Sequence, residues 1–266
     1  MNRPTGIRRT HRTATTLATL SLPLALLTAC GSSGDSGSDS AAVKETAVGA
    51  KPLTAAQLDA VSLAKSDLTG DLKGYIVRAQ SKAELADGAK TVAEDDACTS
   101  VGRVLGGGAL DEPADLAGRR VTAKADRSAV DPDADAEELA LAAFNVTTTS
   151  VALAAYDTQA AAEAALASLG DAVDACGGGF AFTVAGEQWT VNQVTTDTAP
   201  EAGQDAVALT AVTKQSADSA GPVKAVVFRQ GSTLAHFVSF NAASMVTQDD
   251  FAFPTALVTT QATKLG

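Results

Sequence analysis

The stretch VKAVVFRQGSTLAHFVSFN, Val223–Asn241, decides the fold. Two runs rich in Val, Phe and Leu flank Gln230-Gly231-Ser232. A short glycine-containing break between two β-forming runs reads as a hairpin. Working back toward the N-terminus, FAFTV, WTVNQVTT and AVALTAVTK, between Phe180 and Lys214, are further strands of the same character. Working forward, PTALVTTQATKL closes the chain as a helix, with Pro254 near its first turn.

Upstream of this meander the period changes. DTQAAAEAALASLGDAVDACGGG, Asp157–Gly179, is an Ala-rich helix that Asp157 is placed to cap and that Gly177-Gly178-Gly179 terminates. Ala162, Leu166, Leu169, Val173 and Cys176 form its apolar stripe. DDACTSVGRVLGG, Asp95–Gly107, is a second helix, with Cys98, Val101, Val104 and Leu105 on one face. Thr54 is a helix N-cap, and Tyr75-Ile76-Val77 a short strand. RRVTAKADR, from Arg119, alternates as a strand does. DPDADAEEL, from Asp131, reads as a solvated acidic turn, and AFNVTTTSVALAAY, from Ala143, as β-rich. Helices early, strands late and one closing helix imply an α+β fold: an antiparallel β-sheet packed by helices on one face. The folded domain is expected over 51–266.

The front of the chain has another character. In LSLPLALLTACGSSGDSGSDS, Leu20–Ser40, an apolar run stops at Cys30 and gives way to Gly, Ser and Asp. Arg3, Arg8, Arg9 and Arg12 precede it without an acid. A basic start, an apolar core and small residues describe a secretory signal. The apolar run is short of the roughly 20 residues that a membrane span needs. LTAC, Leu27–Cys30, looks like a bacterial lipobox, which implies a lipoprotein signal peptide over 1–29 and lipidation of Cys30. Residues 30–50 then form a flexible, disordered Gly/Ser tether. Arg8-Arg9 leaves the general secretory and twin-arginine routes both open.

The chain carries 20 basic and 31 acidic residues, net −11. Loss of residues 1–29 leaves 16 against 31, net −15. A body so acidic lacks the basic patches that nucleic acid and anionic lipid headgroups require, so neither is an expected partner of its surface. Two cysteines remain after Cys30. Outside the membrane, Cys98 and Cys176 are expected to pair as a disulfide, the alternative being two buried thiols. The bond closes a loop of 78 positions, for which chain entropy gives about 4–5 kcal/mol.

The search for chemistry is mostly negative. His236 is the one histidine left after the signal, which excludes multi-histidine metal sites and leaves a single candidate base. No nucleophile elbow or phosphate loop is present. Asp131, Asp133 and Asp135 start like a calcium loop, but Ala136 stands where its glycine belongs and Ala142 where its bidentate glutamate belongs. No metal and no cofactor are expected. Trp189, Arg229 and His236 are the candidate cleft residues: an amphipathic ring, a cation for an anionic group, and an imidazole alternating with Leu234 and Val238. Tyr75 and Tyr156 are read as core or rim aromatics.

LTAAQLDAVSLAKSDLTG, ACTSVGRVLGGGA, the Ala-rich helix ending in DAC, AVALT and VVFRQGSTLAHFVSF follow one another in this order. The pattern resembles actinobacterial surface lipoproteins related to the extracellular sensor domain of PknH-type receptor kinases. The resemblance implies a compact antiparallel sheet with helices and a cleft for a ligand. That domain carries two disulfides where this chain has cysteines for one, and no kinase domain is present. The expected function is a non-enzymatic, lipid-anchored, sensor-like binding protein on the outer face of the cytoplasmic membrane, its partner a small ligand or an envelope protein. The alternative is a structural or interaction lipoprotein without a small-molecule ligand. A large apolar cleft lined by Trp189 or His236 favours the first, and a filled core with a flat surface the second.

Overall fold

A computed structural model describes residues 51–125, 133–216 and 219–266. The signal, Cys30, the tether and Asp131 lie outside the described residues. Among the described residues nine strands form one sheet: β1 (Ile76–Ala79), β2 (Val92–Ala93), β3 (Asp115–Thr122), β4 (Thr147–Ala155), β5 (Phe180–Val184), β6 (Glu187–Asp197), β7 (Asp205–Ser216), β8 (Ser219–Gln230) and β9 (Thr233–Asn241). Their order is β1-β3-β4-β9-β8-β7-β6-β5-β2, and every neighbouring pair is antiparallel. Seven α-helices accompany them among the described residues: α1 (Ala55–Val61), α2 (Lys82–Ala89), α3 (Thr99–Leu105), α4 (Ala136–Phe144), α5 (Gln159–Ala175), α6 (Ser244–Thr247) and α7 (Thr255–Leu265). The α+β class and the antiparallel sheet are as the sequence implies.

The Gln230-Gly231-Ser232 hairpin joins β8 to β9, with Gln230 opposite Thr233. Gly231 takes φ +59°, as the first central residue of a two-residue hairpin must. Along these strands alternate residues enter two different cores. Ala225, Val227, Leu234 and Val238 join the core under α3 and α5, while Val226, Phe228, Ala235 and Phe237 join the core under α1 and α7. The α3–α5 pair covers one face, and the other face is covered as well. Burial on both sides is why β8 and β9 read as nearly continuous apolar runs.

The expected stripe of α5 is buried at every position, Ala162, Leu166, Leu169, Val173 and Cys176. Cys98 ends a short 3-10 turn before α3, Cys176 follows α5, and the two are disulfide-bonded. On the opposite face the buried Gln261 of α7 accepts from the Leu63 amide at 3.0 Å and donates to the Val61 carbonyl at 2.9 Å, pinning the closing helix to α1.

Three local readings are corrected. Thr158, not Asp157, caps α5, its hydroxyl accepting from the Ala161 amide at 3.1 Å. The acidic turn continues into α4: Asp135 accepts from the Glu137 and Glu138 amides at 2.9 Å, and Ala, Glu and Leu then propagate a helix to Phe144. Helix α2 went unread, although Ser81 and Glu84 form a capping box there.

Candidate functional site

Strand β3 carries two consecutive arginines on opposite faces. Arg119 is spent on α1, donating to Asp59 Oδ1 at 2.7 Å and to the Asp59 and Leu63 carbonyls at 2.9 and 3.1 Å. Arg120 points to the other face, where the sheet builds a cross-strand row. Arg120 stands opposite Ser150 on β4, Ser150 opposite Val238 on β9, and Val238 opposite Ala225 on β8. The row is polar at its β3 end and apolar at its β8 end.

Over this row lies a cleft of about 510 Å³, inside the range of 300–1,000 Å³ usual for small-molecule sites. Its base includes Ser150, Val223, Val238 and Phe240. Leu105, Gly106 and Gly107 at the end of α3 form one wall, Met245 and Val246 of α6 another, and Trp189 of β6 a third. The indole is itself braced by the buried ring of Phe182, 5.7 Å between centroids. The α3 wall is fixed by backbone contact: a methyl group on Gly88 of α2 would come within 2.7 Å of the Gly108 nitrogen. Only glycines allow α2 to approach the turn after α3 this closely.

The cation at the polar end is held loosely. Arg120 lies 3.6 Å from Glu84, whose carboxylate is already gripped by Arg78 at 2.7 Å. Hydrogen bonds from Arg78 and the Ser81 amide drive the Glu84 carboxyl down to about 2, so it stays ionised. Two guanidinium groups thus share one carboxylate. The Nε of Arg120 is buried and has no hydrogen-bond partner among the described residues.

Of the three residues singled out from sequence, Trp189 lines the cleft and the other two do not. His236 lies on the same sheet face one row deeper, opposite Ala152 and Val227. Its ring is buried, and neither nitrogen has a partner among the described residues. Burial alone lowers its pKa to about 4, so the imidazole is neutral at physiological pH. Among the described residues, no hydroxyl or carboxylate of the kind a histidine-dependent hydrolase sets against its base is hydrogen-bonded to this ring. Arg229 sits at the β8–β9 hairpin and is consumed there: it donates to Asp205, to Gln204 Oε1 at 2.6 Å and to the Gly231 carbonyl at 3.2 Å, with Glu163 at 3.3 Å. Tyr156 is structural, its buried hydroxyl donating to the Leu110 carbonyl at 2.7 Å.

A second hollow, of about 570 Å³, lies between α4 and α6 and is lined by Glu138, Asn145, Asn241, Asp249 and Asp250 among others. It is open and acidic. Among the described residues no cluster of three or more His, Cys, Asp or Glu side chains could hold a metal ion, and no helix is long and apolar enough to cross a membrane.

No protein-family model matches the chain, and no curated protein matches it. The fold is similar to that of the extracellular domain of PknH from Mycobacterium tuberculosis, at 10% sequence identity and a TM-score of 0.46, covering 81% of this chain and 96% of that chain.

Proposed function

We propose that the protein is a lipid-anchored, extracytoplasmic binding lipoprotein that captures a small ligand in the cleft beneath Trp189 and performs no chemistry on it. The observation that carries this reading is the cleft itself: apolar walls, one aromatic ring and a small polar end, the composition usual for ligand sites. Support for an oxidising compartment comes from the Cys98–Cys176 bond. Support for the anchor comes from LTAC at Leu27–Cys30 and the Gly/Ser tether after it. Two or more acyl chains on Cys30 hold a protein at the membrane stably, where one chain does so only marginally. Residues 30–50 act as the leash and 51–266 as the binding domain.

The test is native mass spectrometry of the mature protein purified from its host envelope, with peptide mapping of its N-terminus. A reproducible retained mass and an acylated Cys30 peptide are expected. A bare protein mass with the disulfide formed removes small-ligand capture and leaves an interaction lipoprotein. Membrane association that persists unchanged in Cys30→Ser removes the anchor.

A further inference from the structure

Building on the ligand-binding reading above, we infer that the cleft takes a single-chain anionic amphiphile, its apolar chain along Val223, Val238 and Met245 and its acidic headgroup at Arg120 and Ser150. Three independent features converge on this chemistry. The first is the polarity gradient of the cross-strand row, which sets a cation and a hydroxyl at one end of an apolar base. The second is charge. In a chain of net −11, Arg120 lines the polar end of the cleft, and its neighbour Arg78, outside the lining, already pairs with the one carboxylate they share, a local excess of positive charge. Arg120 is 35% exposed at its side chain, so a headgroup can reach it. An anion there replaces a long 3.6 Å ion pair with direct charge-assisted hydrogen bonds. The third is the mouth. Val246 is 68% and Phe240 37% exposed, an apolar rim continuous with apolar walls, and exposed apolar surface around a groove marks a binding site. A fully polar anion would leave these walls and rim unused. A neutral hydrocarbon would leave the exposed part of the Arg120 guanidinium with nothing but the long Glu84 pair.

Size agrees. A ten-carbon chain, at roughly one water volume of about 30 Å³ per carbon, needs roughly 300 Å³. The cleft of about 510 Å³ holds that chain and a headgroup.

Trp189 is the single tryptophan of the chain and lines the cleft, so its emission reports on this site alone. The experiment uses the full mature chain with Cys30→Ser, so that no attached acyl group competes. Decanoate, decyl phosphate and decyltrimethylammonium are titrated below their micelle concentrations and followed by Trp189 fluorescence. Both anions should bind, at least about tenfold more tightly than the cation. The tighter of the two distinguishes a carboxylate from a phosphate headgroup. Arg120→Gln should erase most of that discrimination. Val246→Glu, at an exposed position that folding does not depend on, should weaken the anions and spare the cation. Equal affinity for anions and cation overturns the inference and leaves the binding reading standing. No binding by any probe, with a retained native mass, overturns it in the same way. No binding together with a bare native mass removes both. A dimer that Val246→Glu dissociates, with no probe bound, overturns it by making the mouth an interface between copies.

Discussion

His236 offers the sharpest test of how the sheet is packed. Its ring is 2% exposed, its cross-strand neighbours are Ala152 and Val227, and burial alone holds its pKa at about 4. In the unfolded chain the same imidazole titrates near 6.5. Between these values the unfolded state binds the proton and the folded state does not, so acid favours unfolding. The contribution is fully present above about pH 6.5 and is lost as pH falls, the loss reaching about 3 kcal/mol by pH 4. That is a substantial share of the 5–15 kcal/mol typical of a domain. His236→Leu abolishes this slope. At neutral pH the variant should match the wild type within about 1 kcal/mol or exceed it, because two unpartnered ring nitrogens leave the core and a similar apolar volume replaces them. His236→Ala should also lose the slope, but at a cost of about 2–4 kcal/mol for the cavity. Urea unfolding followed by circular dichroism at intervals from pH 7.5 to 4 measures both. The carboxylates Glu84, Asp67 and Asp250 are also depressed, and their acid loss is common to wild type and variant. The difference between the two proteins therefore isolates His236. Parallel wild-type and His236→Leu curves would refute the buried, neutral imidazole.

The remaining predictions concern the frame around the cleft. Reducing the Cys98–Cys176 bond, or replacing both residues with Ser, should cost up to about 4–5 kcal/mol in urea unfolding, since the loop closed is 78 residues long; an unchanged midpoint refutes the entropic account. Gly108→Ala places a methyl 2.7 Å from the Gly88 carbonyl carbon and 3.2 Å from the Arg103 carbonyl oxygen. It should cost about 1–3 kcal/mol and shift Trp189 emission by displacing the α3 wall, which the same unfolding curves and a fluorescence spectrum check. Ala185 adopts φ +52° in the Ala185-Gly186 hairpin between β5 and β6, so Ala185→Asn should stabilise by about 1 kcal/mol, read as a higher urea midpoint.

What could be read from sequence was local. The stripe of α5 is visible because five apolar residues recur at helical spacing, and the disulfide because Cys98 and Cys176 each fall on a buried face. The β8–β9 hairpin is visible because Gly231 interrupts two β-branched runs. The two covered faces were not legible. Continuous apolar runs in β8 and β9 announce burial, but nothing local says that α1 and α7 supply the second cover, since Gln261 reaches Leu63 and Val61 across some 200 positions. Helix α4 was lost because its Ala and Leu residues adjoin a β-rich segment and none of them is buried. Arg229 is a cleft candidate in the sequence, with a surface ion pair as the default, because sequence shows a cation beside a turn and not the Asp205 and Gln204 that hold it.

The cleft had no motif, yet its location follows from one strand. Leu234, His236, Val238 and Phe240 occupy the same face of β9, and their exposure runs 0%, 2%, 7% and 37%. The helical layer over that face therefore ends between Val238 and Phe240. Beyond this edge the chain supplies Gly106-Gly107 and the four-residue α6 in place of a longer helix. A sheet face that stays apolar past the end of its cover would ordinarily be shielded by bulky side chains from above. Here small residues leave it open, and Arg120 stands at its polar end. The alternation of β9 continuing two residues beyond Val238, together with an arginine doublet that must divide between two faces, is the sequence signal that locates this cleft.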